Sequence, residues 1–281
     1  MQTVHTVAAL RDILRPLREA GHRVAFVPTM GNLHDGHIQL VRQAKDLAGQ
    51  VVVSIFVNPT QFNDKRDLDA YPVTIEEDKR KLDEIDTDIL FMPTTNEVYP
   101  EGMERSIRVV VPGLSDILCG HYRPGHFVGI TTIVAKLFNI VQPDVAVFGE
   151  KDYQQLLVIR RMVADLCMPI KIIGVETVRE LDGLAMSSRN SYLTAQERRV
   201  APHLYRTLQD VSERLARGEV DYRMIEAAAA GVLGKSGFKP EYVAIRRAHD
   251  LEEPEKGDRK LIVLAAAWLG KARLIDNLLI P

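Results

Sequence analysis

The chain has 281 residues, enough for a sizeable core and near the upper limit of what one core holds, so a large domain with a smaller companion is expected. Lys and Arg number 36 against 38 Asp and Glu, a formal charge of -2, and that balance argues against nucleic acid or an anionic membrane as partner. The longest apolar runs fall well short of the roughly 20 residues needed to cross a bilayer; with no signal-peptide pattern, and with Cys119 and Cys167 in unrelated contexts, the expectation is a cytoplasmic protein without a disulfide framework or a thiolate metal site.

From residue 24 to about 178, short β-branched runs alternate with stretches of helical period, the pattern of βαβ units around a parallel sheet. Strands are predicted at 24–27, 51–57, 89–92, 145–148 and 172–175. Ile38, Val41, Ala44 and Leu47 recur at helical spacing, as do Ile130, Val134, Leu137 and Val141, and a further helix is predicted over 153–166. Right-handed crossovers make a Rossmann-like, doubly wound parallel sheet the economical topology for this α/β chain. After residue 180 the pattern changes. Thr194 to Glu197 reads as a capping box that opens a long helix through about Ala216, kinked at Pro202. A second helix, 221–234, precedes runs at 242–245, 261–268 and 273–275 that suggest a small antiparallel sheet. The expected division is a Rossmann-like domain over 1–178 and a smaller C-terminal α+β domain over 179–281.

In an open parallel sheet, ligands bind beyond the carboxyl ends of the strands, where the strand order reverses. Three chemically rich segments each follow a predicted strand: "PTMGNLHDGH" at 28–37, "NPTQF" at 58–62 and "GEKDYQQ" at 149–155. Gly36 and His37 fall where a helix begins, so unpaired N–H groups and the positive dipole end offer a place for phosphate, with His34 and His37 as further donors. The same pair could also be zinc ligands, or bystanders to capping by Asn32 or Asp35. "RPGH" at 123–126 puts another cation and imidazole at a helix start, for phosphate contact or a surface ion pair. Lys151 suits phosphate and Asp152 a ribose hydroxyl, while "MSSRN" at 186–190 offers hydroxyls and a guanidinium, or is a polar linker. No P-loop, dinucleotide fingerprint or hydrolase elbow occurs. What remains is nucleotide phosphate held by imidazoles, amides and mobile cations, in an enzyme such as an adenylyltransferase or in a nucleotide sensor.

With those residues in hand, the sequence resembles the AMP-forming pantoate–β-alanine ligases, the pantothenate synthetase family of the nucleotidyltransferase superfamily. The resemblance runs over nearly the whole chain, through "VPTMGNLHDGH", "SIFVNPTQF", "RPGHFVGITTIVAKLFNIVQPD", "FGEKDYQQL", "GLAMSSRN" and "AAWLGKARLIDN". His34 to His37 correspond to the His-Ile-Gly-His of class I aminoacyl-tRNA synthetases; Ala185 and Ser188 stand where the lysines of their second motif would be, and Arg189 brings the cation. The resemblance implies ATP as co-substrate with Mg²⁺, a pantoyl adenylate, release of pyrophosphate and AMP, and a homodimer. It implies catalytic roles for His34, His37, Lys151 and Arg189. ATP would lie against Met30, Gly31, Asn32, Leu33, His34, Asp35, Gly36 and His37, and against Gly149, Glu150, Lys151, Asp152, Val178, Met186, Ser187, Ser188 and Arg189. Gln61 and Gln155 would hold the polar end of pantoate, with Met30, Phe62 and Val134 as apolar walls, although Val134 reads equally as ordinary core. The metal ligands are unassigned. The segment from Asn58 to Tyr71, with "NDKRDLD" inside it, suits a lid.

Overall fold

The computed structural model describes residues 1–63, 65–255 and 257–280. In chain order its strands and helices are β1 (Gln2–Val4), α1 (Val7–Glu19), β2 (Val24–Thr29), α2 (Asp35–Leu47), β3 (Gln50–Ile55), α3 (Lys65–Asp69), α4 (Ile75–Asp83), β4 (Ile89–Phe91), α5 (Thr95–Val98), α6 (Cys119–Tyr122), α7 (His126–Val141), β5 (Val145–Gly149), α8 (Tyr153–Asp165), β6 (Lys171–Val175), α9 (Ala195–Val200), α10 (His203–Ala216), α11 (Tyr222–Lys235), β7 (Lys239–Arg247), β8 (Leu261–Leu269) and β9 (Ala272–Leu279). Contacts divide the chain into two compact units: Met1–Glu150 with Val158–Glu176, and Lys151–Leu157 with Thr177–Pro281.

The first unit holds a six-stranded sheet in the order β1-β4-β3-β2-β5-β6, with every neighbouring pair parallel. From β2 the chain steps outward through β3 and β4, then returns to place β5 and β6 on the other side, so the order reverses between β2 and β5. This is the doubly wound arrangement expected from the sequence. β2 reads Val-Ala-Phe-Val with all four side chains buried, as befits a central strand covered on both faces. Its pairing with β5 covers only Ala25 and Phe26. Val24 directs its backbone groups toward Asp144 at the start of β5, and Pro28, four residues on, faces the same way without an N–H. Ladder pairing of the two strands ends short of the carboxyl edge, at the reversal of strand order beside which ligands bind in such sheets.

Six described elements of this unit lie outside the predicted set: the short helices α3, α5 and α6, and β1, α1 and α4. β1 has three residues, too few to show a period. α1 buries Leu10 and Leu14 but carries Pro16 inside it, and α4 is charged apart from Ile75 and Leu82, with Asp78 and Leu82, one turn apart, as its buried residues. Within the segment expected as a lid, Pro59–Gln61 forms a 3-10 turn and α3 follows, while Asp64 lies outside the described residues.

In the second unit β7, β8 and β9 form an antiparallel meander, the small sheet expected from the sequence. Alternate residues Val243, Ile245, Val263, Ala265 and Ala267 pack on Leu204, Leu208 and Val211 of α10 and on Ile225, Ala229 and Leu233 of α11. The capping box at Thr194 and Glu197 forms as read, with N–H donors answered at 2.8 and 3.2 Å. The single kinked helix expected over 194–216 is instead two helices. Pro202 has no N–H for the carbonyl of Arg198, and α9 ends at Val200 before α10 begins at His203.

Candidate active site

The loop between β2 and α2 turns on two residues in the left-handed region, Gly31 at φ 81° and Asn32 at φ 50°. Gly31 is required for a second reason: a Cβ there would meet the Asp78 carboxylate and the Ile55 side chain at 3.1 Å each. Asp78, fully buried on α4, accepts the backbone N–H groups of Asn32 and Leu33 at 2.8 and 2.7 Å. Lys81, one turn on, donates to the carbonyl of Leu33 at 2.6 Å. A polar helix thus clamps the loop from below. The side chain of Leu33 belongs to the core, so only its backbone is available to a ligand.

The clamp delivers His34 to the N-cap of α2, with Asp35 and Gly36 in its first turn. The His34 N–H donates to His37 Nδ1 at 3.3 Å, and the two rings lie 4.1 Å apart between centroids. An imidazole nitrogen that accepts carries no proton, so the nitrogen through which neutral His37 donates is Nε2. Imidazole and helix dipole act from the same place on whatever binds there. Among the described residues no group of three His, Cys, Asp or Glu could hold a metal, and the zinc alternative for this pair gains no third ligand.

Gln61 is where the loop after β3 meets the rest of this half-site. Its Nε2 approaches Met30 Sδ at 2.9 Å, and its Oε1 accepts from Asn58 Nδ2 at 3.2 Å. Asn58, almost fully buried, also donates to the Gly129 carbonyl and accepts from Thr60 and Tyr99, whose phenol burial pushes above its ordinary pKa. Gly129 lets α7 come this close, since a Cβ there would stand 2.4 Å from the Thr60 carbonyl oxygen. Arg123 and His126, read from the sequence as phosphate contacts or a surface ion pair, bond Gln61 here. The His126 Nδ1–H and an Arg123 N–H both donate to the Gln61 carbonyl, at 2.7 and 3.3 Å, and Arg123 also bonds His126 Nε2, so this pair holds Gln61 in place. Phe62 meets Tyr71 edge to face, and Val134 is 5% exposed on α7.

Gly149 and Glu150 belong to the first unit, and the predicted residues from Lys151 onward to the second. Lys151 and Asp152 lie in the 3-10 turn Glu150–Asp152 that follows Gly149, their charged groups 3.8 Å apart, and Gln155 is half-buried in the first turn of α8. The segment from Val178 to Met186 folds back on itself: Arg179 pairs with Ala185, and Met186 donates to the Val178 carbonyl at 3.0 Å. Ser187 then caps the 3-10 turn Ser188–Tyr192 by accepting the Arg189 N–H, which leaves Ser187, Ser188 and Arg189 half-buried. Sequence reasoning missed Asp78, Asn58, Lys81 and Arg179. Only Asn58 carried a local signal, as the residue before a proline directly after a strand.

A cavity of about 650 Å³ lined by Arg18, His22, Arg23, Gln142 and Asp144 lies at the amino ends of β2 and β5, the wrong edge of the sheet for this chemistry.

A family model described as pantoate-beta-alanine ligase matches residues 2–279. The chain is 55% identical over 278 residues to a pantothenate synthetase of Thioalkalivibrio sulfidiphilus, covering 99% of this chain and 97% of that one. Its fold matches a crystal structure of pantothenate synthetase from Thermus thermophilus with a TM-score of 0.92 at 45% identity, covering 99% of each chain. It also matches a pantoate-beta-alanine ligase from Francisella tularensis, complexed with beta-gamma ATP and beta-alanine, with a TM-score of 0.83 at 34% identity over 99% of this chain and 97% of that one.

Proposed function

The chain belongs to the pantoate–beta-alanine ligase family, and from that premise we propose how its residues divide the work. The reaction is ATP-dependent ligation of pantoate and β-alanine to give pantothenate. It proceeds in two displacements. A pantoate carboxylate oxygen attacks the α-phosphorus of ATP, and the bond from that phosphorus to the bridging oxygen breaks, releasing pyrophosphate. The free amine of β-alanine then attacks the acyl carbon of the pantoyl adenylate, the C–O bond to AMP breaks, and the amine gives up its proton.

In the first displacement negative charge gathers on the departing β-phosphate, so donors aimed in advance at that charge matter more than a base. The observation that carries this reading is the His34–His37 geometry: the backbone occupies one imidazole nitrogen of His37 and turns the other into a donor at a helix N-terminus. His34, His37, Lys151, Ser187, Ser188 and Arg189 serve the triphosphate. Gly149, Asp152 and the backbone near Val178 serve the adenosine. Gln61, steadied by Asn58, Arg123 and His126, and Gln155 hold the polar end of pantoate against Met30, Phe62 and Val134. The domain over 1–178 is the nucleotide- and pantoate-binding part and the domain over 179–281 the lid that shields the adenylate from water.

Mg²⁺ is proposed as the companion of the ATP phosphates. The donors assigned to the triphosphate are imidazoles, an ammonium, a guanidinium and hydroxyls rather than carboxylates, which suits an ion held mainly by phosphate oxygens; it would neutralise charge on the leaving group. We also propose a cytoplasmic homodimer, a state that sedimentation equilibrium reads directly; among the described residues no helix is long and apolar enough to cross a membrane.

The test is exchange of labelled pyrophosphate into ATP. It is expected with pantoate alone; exchange that appears only once β-alanine is added would remove the separate adenylate step.

A further inference from the structure

Two adjacent residues of β9, Asp276 and Asn277, are polar yet only 3% and 7% exposed. Neighbours along a strand point to opposite faces, and these two reach different parts of the second unit. The Asp276 carboxylate takes both arms of the Arg179 guanidinium, at 2.7 and 2.9 Å. That guanidinium lies 3.6 Å above the Tyr205 ring and donates also to the carbonyls of Gly183 and Asn277. Arg179 is thereby locked into the folded-back segment whose outer rung, Met186 to Val178, runs directly into Ser187, Ser188 and Arg189. Asn277 faces the other way. Its Nδ2 donates to the Lys151 carbonyl at 2.9 Å, and its own N–H returns to Asp276 at 2.8 Å.

A buried ion pair is a poor source of stability, because desolvating both charges offsets most of their attraction and a hydrophobic pair of similar volume does as well. What a bidentate arginine–carboxylate pair supplies is a fixed orientation. We propose that Asp276 and Asn277 are positioning residues which hold Lys151 and the Val178–Arg189 segment in one set relation, so that both present their cations to the triphosphate of ATP. The inference rests on the phosphate roles assigned above to Lys151 and Arg189. Burial pushes the Asp276 carboxyl up, and the Arg179 guanidinium pulls it back.

The experiment measures initial rates with ATP and pantoate varied separately, together with Tm, for Asn277→Ala, Lys151→Ala and the double variant Asp276→Leu/Arg179→Met. The double variant removes the ion pair without stranding either charge. Asn277→Ala is expected to raise the ATP KM about tenfold, the scale of one well-made hydrogen bond, while the pantoate KM stays put. The double variant is expected to lose only the Tm that goes with the Asn277 N–H, which Asp276 no longer accepts, and still show the ATP-selective defect. An unchanged ATP KM in Asn277→Ala or in the double variant, beside a defective Lys151→Ala, overturns the inference alone. So does a fall in kcat and Tm with both KM values untouched, which is what a merely structural role gives. A normal ATP KM in Lys151→Ala overturns the phosphate role itself, and the inference with it.

Discussion

Because the His34 N–H donates to His37 Nδ1, the two imidazole nitrogens of His37 are not equivalent, and a substitution series can tell them apart. His37→Ala is expected to lower kcat at least about a hundredfold, the scale of losing a donor to developing oxyanion charge. His37→Gln, whose amide nitrogen reaches toward the Nε2 position, should retain more activity than His37→Asn, whose amide reaches only toward Nδ1; the opposite order would move the working atom. Asp78 touches no ligand in this reading, yet the loop depends on it. Asp78→Ala strands the N–H groups of Asn32 and Leu33, at about 1–3 kcal/mol for each buried donor, and should lower both the urea midpoint and kcat. An unchanged midpoint would mean that the loop keeps its left-handed turn unaided. Nothing about an aspartate within "IEEDKRKLD" separates it from its acidic neighbours. Only its burial does.

Among elements, α7 is the one on which the proposed pantoate pocket rests. It carries Gly129 under the Pro59–Gln61 turn, and His126 at its start, with Arg123 just ahead of it at the end of α6, grips the Gln61 carbonyl. Gly129→Ala would drive a methyl group into the Thr60 carbonyl and push that turn outward. The expected result is a pantoate KM raised far more than the ATP KM, read from the same two-substrate kinetics. If Arg123 and His126 touched phosphate instead, Arg123→Ala would show the reverse pattern. Helical period was enough to find α2, α7 and α11, and the capping box at Thr194 was legible residue by residue. α4 was not, because a helix that buries an aspartate and a leucine and otherwise faces water lacks the apolar stripe by which helices are recognised.

For the whole molecule, the residues proposed to hold ATP come from each compact unit: His34 and His37 from one, Lys151 and Arg189 from the other. Hydrogen exchange in the presence of ATP, Mg²⁺ and pantoate should therefore slow both in the Gly31–His37 loop and in the Val178–Tyr192 segment. Protection confined to the first would sever Lys151 and Arg189 from the nucleotide. The sequence by itself determined the fold class, the family and the choice of loops proposed to face ligand, because strand alternation, helical period and short motifs are properties of neighbours along the chain. The tertiary structure alone decided what holds those loops in shape. Asp78 meets Leu33 across 45 residues of chain and Asp276 meets Arg179 across 97. A polar residue with an ordinary local context becomes a buried clamp only when folding brings its unsatisfied partner to it and removes the water that would otherwise have served both.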